Sequence, residues 1–596
     1  MTSIILRGME RRDFKISHFY FSRFKRIVPA LAALCFTLIT IGWFTLHPAD
    51  FKTLGKHTLS SLSFSSNFIY LKESGYFDEA SKEKWLLHTW SLSVEWQFYL
   101  IYPLTLVAMQ RVMNLQKIRL TLILGTAMSF LLCVYASERW PSSAFYLLPT
   151  RAWEMLVGGL IFLHPRNFPK SIQMTFEATG LLLIIGSYVW LSESVTWPGY
   201  LALLPVIGTA LVIAANREHS RFTGNPVSQW LGTTSYSIYL WHWPIVVGFN
   251  YLGASHDLIW ITAGLITSIL LGTLSYYLIE NRKNTSPWGK LIFPVFGPHL
   301  GRLFAISVVI SLVVFLRDGF ASRLSAQYIA QTQSHVMPRR GSGYCFVDFN
   351  DDVNLVVSES GFQCPLGDRK KQATVLLFGD SYAGHYEPFW DEIGKANNIA
   401  INAVTTNWCM PISGRAYDGP TSSNAFKQCQ LNRSYLSKEM GKYKTVIFAG
   451  MWSNSHKRGY LREIQAMIQE TSRTVPLVII MPPPTHYDTN VLKRYHRSLF
   501  YQLPFDLTQY PKTLDTMERK AYSMLQDGMN NLDNVIFLEH KQLFSEAGSY
   551  EKSGHTIPYS LDGMHITLEG SIAAAQKFQA DGFYRAVLQK KIMGAQ

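Results

Sequence analysis

Two hydrophobic patterns divide this chain near residue 320. Before it, apolar residues run in long uninterrupted stretches; after it, they come in short runs separated by polar, amphipathic segments. Stretches of roughly 17 to 22 residues are long enough to cross a bilayer core as helices. They recur near 27–46, 92–110, 119–137, 146–164, 174–192, 197–215, 234–253, 258–278 and 303–316. The sixth is weakly apolar and the last is short, so the pattern predicts a polytopic α-helical membrane domain of about nine spans over 1–316. Beyond 372 the period changes. The segments 374–378, 445–449, 476–481 and 535–538 are continuous apolar runs of strand length, and 461–470 and 514–526 are amphipathic at helical spacing. That alternation predicts buried parallel strands between helices, an α/β three-layer domain over 372–596. The stretch 317–371, with Gly341 and Gly343, reads as a linker or small cap.

Charge then fixes an expected orientation. Of 596 residues, 48% are hydrophobic and 16% charged, with a formal net charge of +14. If the basic N-terminal segment is cytoplasmic, alternate loops carry Arg111, Lys117 and Arg119, then Arg166 and Lys170, then Arg217 and Arg221, then Arg282, Lys283, Lys290 and Arg302. The opposing short loops offer only Arg139. Basic loops stay inside, so an odd number of spans places everything after about residue 317 outside. The positive charge is thereby read as membrane topology, and nucleic-acid binding is set aside.

Cysteine usage agrees. Cys35 and Cys133 fall within apolar spans and read as packing residues, whereas Cys345, Cys364, Cys409 and Cys429 lie in the exported half. Four cysteines in an oxidising compartment suggest two disulfides; nearest-neighbour pairing, Cys345 with Cys364 and Cys409 with Cys429, is preferred, while sequence leaves connectivity open. No Cys-x-x-Cys or histidine-rich ligand cluster occurs, and no structural metal is expected. At the start, Met1 to Leu6 looks like the last turn of a hydrophobic helix whose beginning is missing, followed by Arg7, Arg11 and Arg12, and it is too short for a signal peptide.

The candidate chemistry sits in two places. The run 375–378 delivers Gly379-Asp380-Ser381 onto a turn at the carboxyl edge of a sheet, and Asp562-Gly563-Met564-His565 lies near the other end of the chain. His565 can take the Ser381 proton, and Asp562 can hold the ring in the required tautomer. An oxyanion hole would draw on the Ser381 N–H, with Gly450 and Asn454 as further candidates and the loop 405–409 as another. Asp380 is expected to pin the turn. His385 reads as a histidine on a helix face, His486, His540 and His555 as surface residues, and Trp390, Trp408 and Trp452 either as core or as platforms for sugar rings. In the membrane half, Glu95, Arg151, Glu154 and His242 are ionisable groups within apolar spans, which face a cavity or a partner. Arg151 and Glu154, at i and i+3, can equally neutralise one another. His242, between two tryptophans and before Pro244, is as readily a packed histidine as a reactive one. Arg23 and Arg26 suit phosphate binding or simple cytoplasmic anchoring, and Glu280 reads as structural.

The segments Phe21-Ser22-Arg23-Phe24-Lys25-Arg26, Leu87-His88-Thr89-Trp90-Ser91-Leu92-Ser93-Val94-Glu95, Arg151-Ala152-Trp153-Glu154 and Ser235-Tyr236-Ser237-Ile238-Tyr239-Leu240-Trp241-His242-Trp243-Pro244 together resemble the membrane acyltransferase-3 family. The subgroup is the one fused to a periplasmic SGNH domain, and the order Gly-Asp-Ser then Asp-x-x-His resembles the SGNH hydrolase superfamily. The resemblance implies an SGNH hydrolase-like, flavodoxin-like exported domain on a multi-pass protein of the bacterial inner membrane, with the N-terminus cytoplasmic and the C-terminal domain periplasmic. It implies an O-acyltransferase that takes acetyl from cytoplasmic acetyl-CoA, with its phosphates at Arg23 and Arg26, and passes it to a hydroxyl of a lipid-linked or surface glycan such as O-antigen. In that family the histidine credited with membrane acyl transfer lies on a first helix upstream of a segment like Met1 to Leu6; that helix and the next are absent from this sequence, so either its start is placed too late, or the protein is truncated, or another histidine such as His88 substitutes, beside Glu95, Arg151, Glu154 and His242 as further candidates. Two other readings stay open, a membrane-anchored periplasmic acetyl esterase and a non-catalytic polytopic membrane protein. Acyl chain length, acceptor sugar and oligomeric state are not written in the sequence.

Overall fold

The computed structural model describes residues 1–11, 13–74, 83–163, 168–192, 195–217, 219–251, 258–281, 300–332, 335–347, 355–357, 364–421, 423–510 and 512–582. Arg12 and the loop residues Arg166, Arg282, Lys283 and Lys290 lie outside them. The chain forms two compact units, Met1–Arg323 and Leu324–Gln596.

The first unit is helical throughout. Each expected span coincides with a helix: Ile16–Thr45, Thr89–Val112, Leu115–Arg139, Leu148–Leu163, Lys170–Trp190, Leu203–Ala215, Pro226–Tyr251, Leu258–Ser275 and Leu300–Leu316. Among the described residues four helical segments are long and apolar enough to cross a membrane by length and composition, namely Ile16–Thr45, Leu115–Arg139, Lys170–Trp190 and Leu258–Glu280. Their outward residues remain apolar, as with Leu124, Met128 and Leu131 on one helix and Leu258, Ile259 and Leu265 on another. A helix apolar on its exposed side has lipid, not water, for its surroundings. Between these helices lie Pro48–Leu62 and Ser66–Lys72, which the hydropathy pattern did not predict because His57, Ser60, Ser61 and Asn67 break it; all four are buried.

The second unit is built on a mixed sheet of six strands, β1 (Pro365–Gly367), β2 (Val375–Gly379), β3 (Ala400–Thr405), β4 (Thr445–Ala449), β5 (Leu477–Ile480) and β6 (Val535–Phe537). Their order is β1-β3-β2-β4-β5-β6, with β1 antiparallel to β3 and the rest parallel. Alternate residues of each strand feed separate cores. Val375, Leu377, Ile447 and Ile479 pack on one face with the helices Glu387–Asn397 and Leu568–Ala580. Leu376, Phe378, Phe448 and Ile480 pack on the other with Asn424–Glu439, Leu461–Thr474 and Thr513–Asp527. Burial on both faces is why the strands read as unbroken apolar runs. β3 escaped the sequence pattern because Asn402 interrupts it. The Asn402 amide donates to the Tyr443 hydroxyl at 2.9 Å and the Tyr435 hydroxyl at 3.2 Å, which satisfies a polar group in the sheet. Residues from Leu324 onward belong to this unit, and Phe346 is fully buried in it. A hairpin of β7 (Ser549–Lys552) and β8 (His555–Pro558) precedes the last helix.

Candidate active site

β2 is the central strand, pairing with β3 on one side and β4 on the other, and its register aligns Gly379 with Thr405 and Ala449 at the carboxyl edge. Chain connections leave in opposite directions from this point, so the edge opens where α/β sheets hold their ligands. Gly379 has φ +155°, and a side chain there would strike the Ala449 carbonyl, so only glycine lets β2 end this close to β4. Asp380 follows as the N-cap of a short helix, Ser381–His385, accepting the Tyr382 N–H at 2.8 Å. That turn presents Ser381 at the edge.

The partner comes from a loop 184 residues away. His565 Nε2 lies 2.9 Å from Ser381 Oγ, and His565 Nδ1 lies 2.7 Å from Asp562 Oδ2. Asp562 Oδ1 also accepts the N–H groups of Met564 and His565 at 2.8 and 2.7 Å. Burial pushes the Asp562 carboxyl up, but the His565 ring and these two amides outweigh it and hold the acid well below the usual carboxylate range. An ionised carboxylate only accepts, so His565 carries its proton on Nδ1 and leaves Nε2 free to receive the serine proton. The loop is held in place by Tyr487 N–H donating to the Gly563 carbonyl and Leu492 N–H to the Leu561 carbonyl, each at 2.8 Å. Gly563, at φ +102°, presses against the carbonyls of Tyr487 and Thr489 where a side chain would not fit. Ser381, His565 and the residues around them are buried, so water reaches this chemistry poorly.

Around the triad the structure differs from the sequence expectations. His385 stands on a helix as expected, at the end of Ser381–His385, but on a fully buried side of it, and His486 is fully buried and not at the surface. The His385 ring packs edge-on to His565 at 5.8 Å, and Tyr382 lies 5.0 Å from His385 and 5.3 Å from His565. His486 Nε2 bonds the Tyr382 hydroxyl at 2.8 Å. Burial keeps both imidazoles neutral, pushing His486 down to about 4 and His385 well below the ordinary value. His540 is bonded to Thr485 at 2.9 Å and is pushed down to about 4 by burial, while His555 is exposed. Trp390 and Trp452 are core residues and offer no face to a sugar; Trp408 is half-buried.

Of the oxyanion candidates, Ser381 and Gly450 have N–H groups with no hydrogen-bond acceptor among the described residues. Asn454 does not serve: its amide donates to Asp418 Oδ2 at 2.8 Å, because the loop 406–423 brings that carboxylate alongside. Asn407 in the alternative loop donates to the Val347 carbonyl at 3.0 Å. Cys345 is bonded to Cys364, and Cys409 to Cys429. The first bridge tethers a segment whose Cys345 N–H meets the buried Glu387 carboxylate at 2.9 Å, with Thr405 Oγ1 donating to the same group at 2.6 Å. Burial pushes Glu387 up to about 7.

In the helical unit, Arg23, Arg26, Glu95, Arg151 and Glu154, scattered over three helices in sequence, line one cavity of about 510 Å³. Arg151 Nε pairs with Glu154 Oε1 at 3.1 Å, so mutual neutralisation and cavity lining occur together. Both residues also line a neighbouring cavity of about 300 Å³ whose remaining walls are mainly apolar. His88 and His242 stand outside that lining. Their rings are 5.7 Å apart beyond Tyr239, whose hydroxyl donates to the His88 carbonyl, and His242 Nδ1 bonds the Tyr239 carbonyl at 2.6 Å. The His88 ring is buried beside the Leu240 backbone. Glu280 accepts from the Ser237 hydroxyl at the end of a π-helical turn, Tyr276–Glu280.

Comparison with known proteins matches both units. The profile of the acyltransferase domain covers residues 2–278, and that of the SGNH domain fused to AT3 domains covers residues 347–580. YrhL of Bacillus subtilis (strain 168), provisionally named a peptidoglycan O-acetyltransferase, is 30% identical over 53% of this chain and 54% of its own length. The peptidoglycan O-acetyltransferase OatA of Listeria monocytogenes is 25% identical over 56% and 58%. BcsY of Komagataeibacter xylinus, provisionally named a membrane-bound transacylase, is 30% identical over 46% of this chain and 70% of its own length. The chain thus spans about half the length of the first two relatives.

Proposed function

Because the chain belongs to the acyltransferase-3 family in its form fused to an SGNH domain, we propose that it is a membrane O-acetyltransferase that moves acetyl from acetyl-CoA to a hydroxyl of a cell-surface polysaccharide such as O-antigen. The observation that carries the reading is the hydrogen-bonded series Ser381, His565, Asp562 in a chain whose other unit is an acyltransferase domain. Arg23 and Arg26 hold the phosphates of the coenzyme A donor at the cytoplasmic mouth of the cavity, as two fixed guanidinium groups suit. Glu95, Arg151, Glu154, His88 and His242 are the groups that handle the acyl group within the membrane. The second unit faces the periplasm.

The chemistry at the exported site is acyl transfer through an ester. Ser381 Oγ attacks the acyl carbonyl while His565 Nε2 takes its proton; the donor's leaving group departs with that proton from the imidazolium; the acceptor hydroxyl then attacks the Ser381 ester, giving its proton to His565, and Ser381 is regenerated. Asp562 keeps His565 in the productive tautomer and offsets its positive charge.

The acceptor is tested directly. Cells lacking their own transferases and expressing this chain or its Ser381→Ala form are compared by NMR for ester-linked acetyl on lipopolysaccharide and, because two relatives carry peptidoglycan in their names, on peptidoglycan. Acetyl on O-antigen that disappears with Ser381→Ala supports the proposal. Acetyl on peptidoglycan alone moves the acceptor. Acetyl on neither overturns the transferase reading.

A further inference from the structure

The loop after β4 is where a second wall of the oxyanion hole must lie, and its backbone amides are claimed one after another. Met451 N–H donates to Asp380 Oδ2 at 2.9 Å, Trp452 N–H to Glu518 Oε1 at 2.6 Å and Ser453 N–H to Glu518 Oε2 at 3.0 Å. The other Asp380 oxygen takes Tyr382 N–H at 2.8 Å. Among the described residues the Gly450 and Ser381 N–H groups have no acceptor, and each directly precedes an amide that Asp380 holds. The side-chain donors of the loop are engaged elsewhere: the Trp452 ring is buried with Nε1 on the Met481 carbonyl at 3.3 Å, the Ser453 hydroxyl is on Glu518, and Asn454 is bonded to Asp418.

We propose that Asp380 and Glu518 are positioning residues that fix the gap between the Ser381 and Gly450 N–H groups and so build a two-amide oxyanion hole. The inference rests on the triad reading above. Asp380 spans the gap from the nucleophile turn to the β4 loop, and Glu518, fully buried on the helix Thr513–Asp527, anchors the far side of that loop without approaching the reacting atoms through its own site. In its ionised form a carboxylate suits this task because both its oxygens only accept. A carboxamide of nearly the same shape has one accepting oxygen, and its NH2 would oppose the second amide, releasing one end of the clamp. Gly450 sits in the remaining space, where an added Cβ would lie 3.2 Å from the Trp452 ring and 3.5 Å from Asp380 Oδ2. With no side-chain amide to compensate, stabilisation of the tetrahedral oxyanion depends on how well these two carboxylates hold the amides.

The test uses the full chain purified in detergent with p-nitrophenyl acetate. Ser381 Oγ bonds to the acetyl carbon, p-nitrophenol leaves, and water then cleaves the ester to acetate. Asp380→Asn and Glu518→Gln are each expected to lower kcat about 100-fold, the scale of losing one oxyanion donor, with KM within about twofold and the melting temperature within a few degrees. Either variant alone decides the matter. Wild-type kcat in a folded variant overturns the inference, as does a loss that merely follows the unfolded fraction or appears in KM. Ser381→Ala separates the two readings. If it is inactive while the carboxamide variants turn over normally, only this inference fails. If it retains wild-type turnover, or the wild-type chain releases no p-nitrophenolate, the triad reading fails and takes the inference with it.

Discussion

Ser381 Oγ and His565 Nε2, 184 residues apart in the chain, meet at 2.9 Å, because β2 and the strap between β8 and the last helix converge on one edge of the sheet. The pair depends on Asp562 for its tautomer. Asp562→Asn, which preserves shape but offers an NH2 to the ring, is expected to lower kcat on an acetyl ester by about 10⁴ with little change in KM, since the wrong nitrogen would then carry the proton. Steady-state kinetics of the purified chain check this, and a kcat within tenfold of wild type would count against the assigned role.

Glu518 carries a stability signature of its own. Burial pushes it up to about 7 from an ordinary value of 4.5, against the pull of the Ser453 and Trp452 bonds, with Asp380 adding to the push. A folded-state value above the unfolded one means that the folded protein binds the extra proton between them. The contribution is therefore present below about 4.5 and is lost as pH rises through about 7. Glu518→Gln cannot titrate, so its stability relative to wild type is expected to improve from pH 4.5 to 8, by up to about 3 kcal/mol at 1.36 kcal/mol per unit. Paired melting curves across that range measure the difference. The comparison cancels the buried histidines, which act oppositely in the same window.

Arg23 and Arg26 open onto the same cavity as Glu95. If they hold donor phosphates, Arg23→Ala or Arg26→Ala raises the KM for acyl-CoA roughly 10- to 100-fold, the cost of about 1.5–3 kcal/mol for a lost charge-assisted hydrogen bond. Coenzyme A release from acyl-CoA, followed in membrane vesicles, gives the value. An unchanged KM with less protein in the membrane would identify them as topology anchors instead.

The bridge Cys409–Cys429 closes a loop of sequence separation 20 beside the β4 loop. Replacing both cysteines by serine is expected to cost about 3 kcal/mol in the chain-entropy account of such a loop. Denaturant unfolding of the second unit within the full chain, monitored by tryptophan fluorescence, would report it, and a cost below about 1 kcal/mol would show that packing alone holds the loop.

The sequence by itself determined what depends on local pattern. Unbroken apolar runs located nine helices of the first unit and four strands of the second, because a helix with lipid around it and a strand buried on both faces have no polar face to write into the sequence. Gly379-Asp380-Ser381 and Asp562-x-x-His565 marked the triad, since a tight turn and an i,i+3 carboxylate–imidazole pair are local requirements. Only the tertiary structure decided what depends on distant partners. β3 was hidden because Asn402 is polar in sequence and satisfied by two tyrosines only once folded. His486 looked like a surface residue until Tyr382 was brought to it, and Asn454 looked like an oxyanion donor until Asp418 claimed its amide. Glu518 carried no signal at all, for it is one glutamate on an amphipathic helix whose meaning lies in two backbone amides 66 and 65 residues away. A hydrogen-bond partner contributed by another part of the chain leaves no periodicity at the residue that uses it, and there the reading of sequence ends.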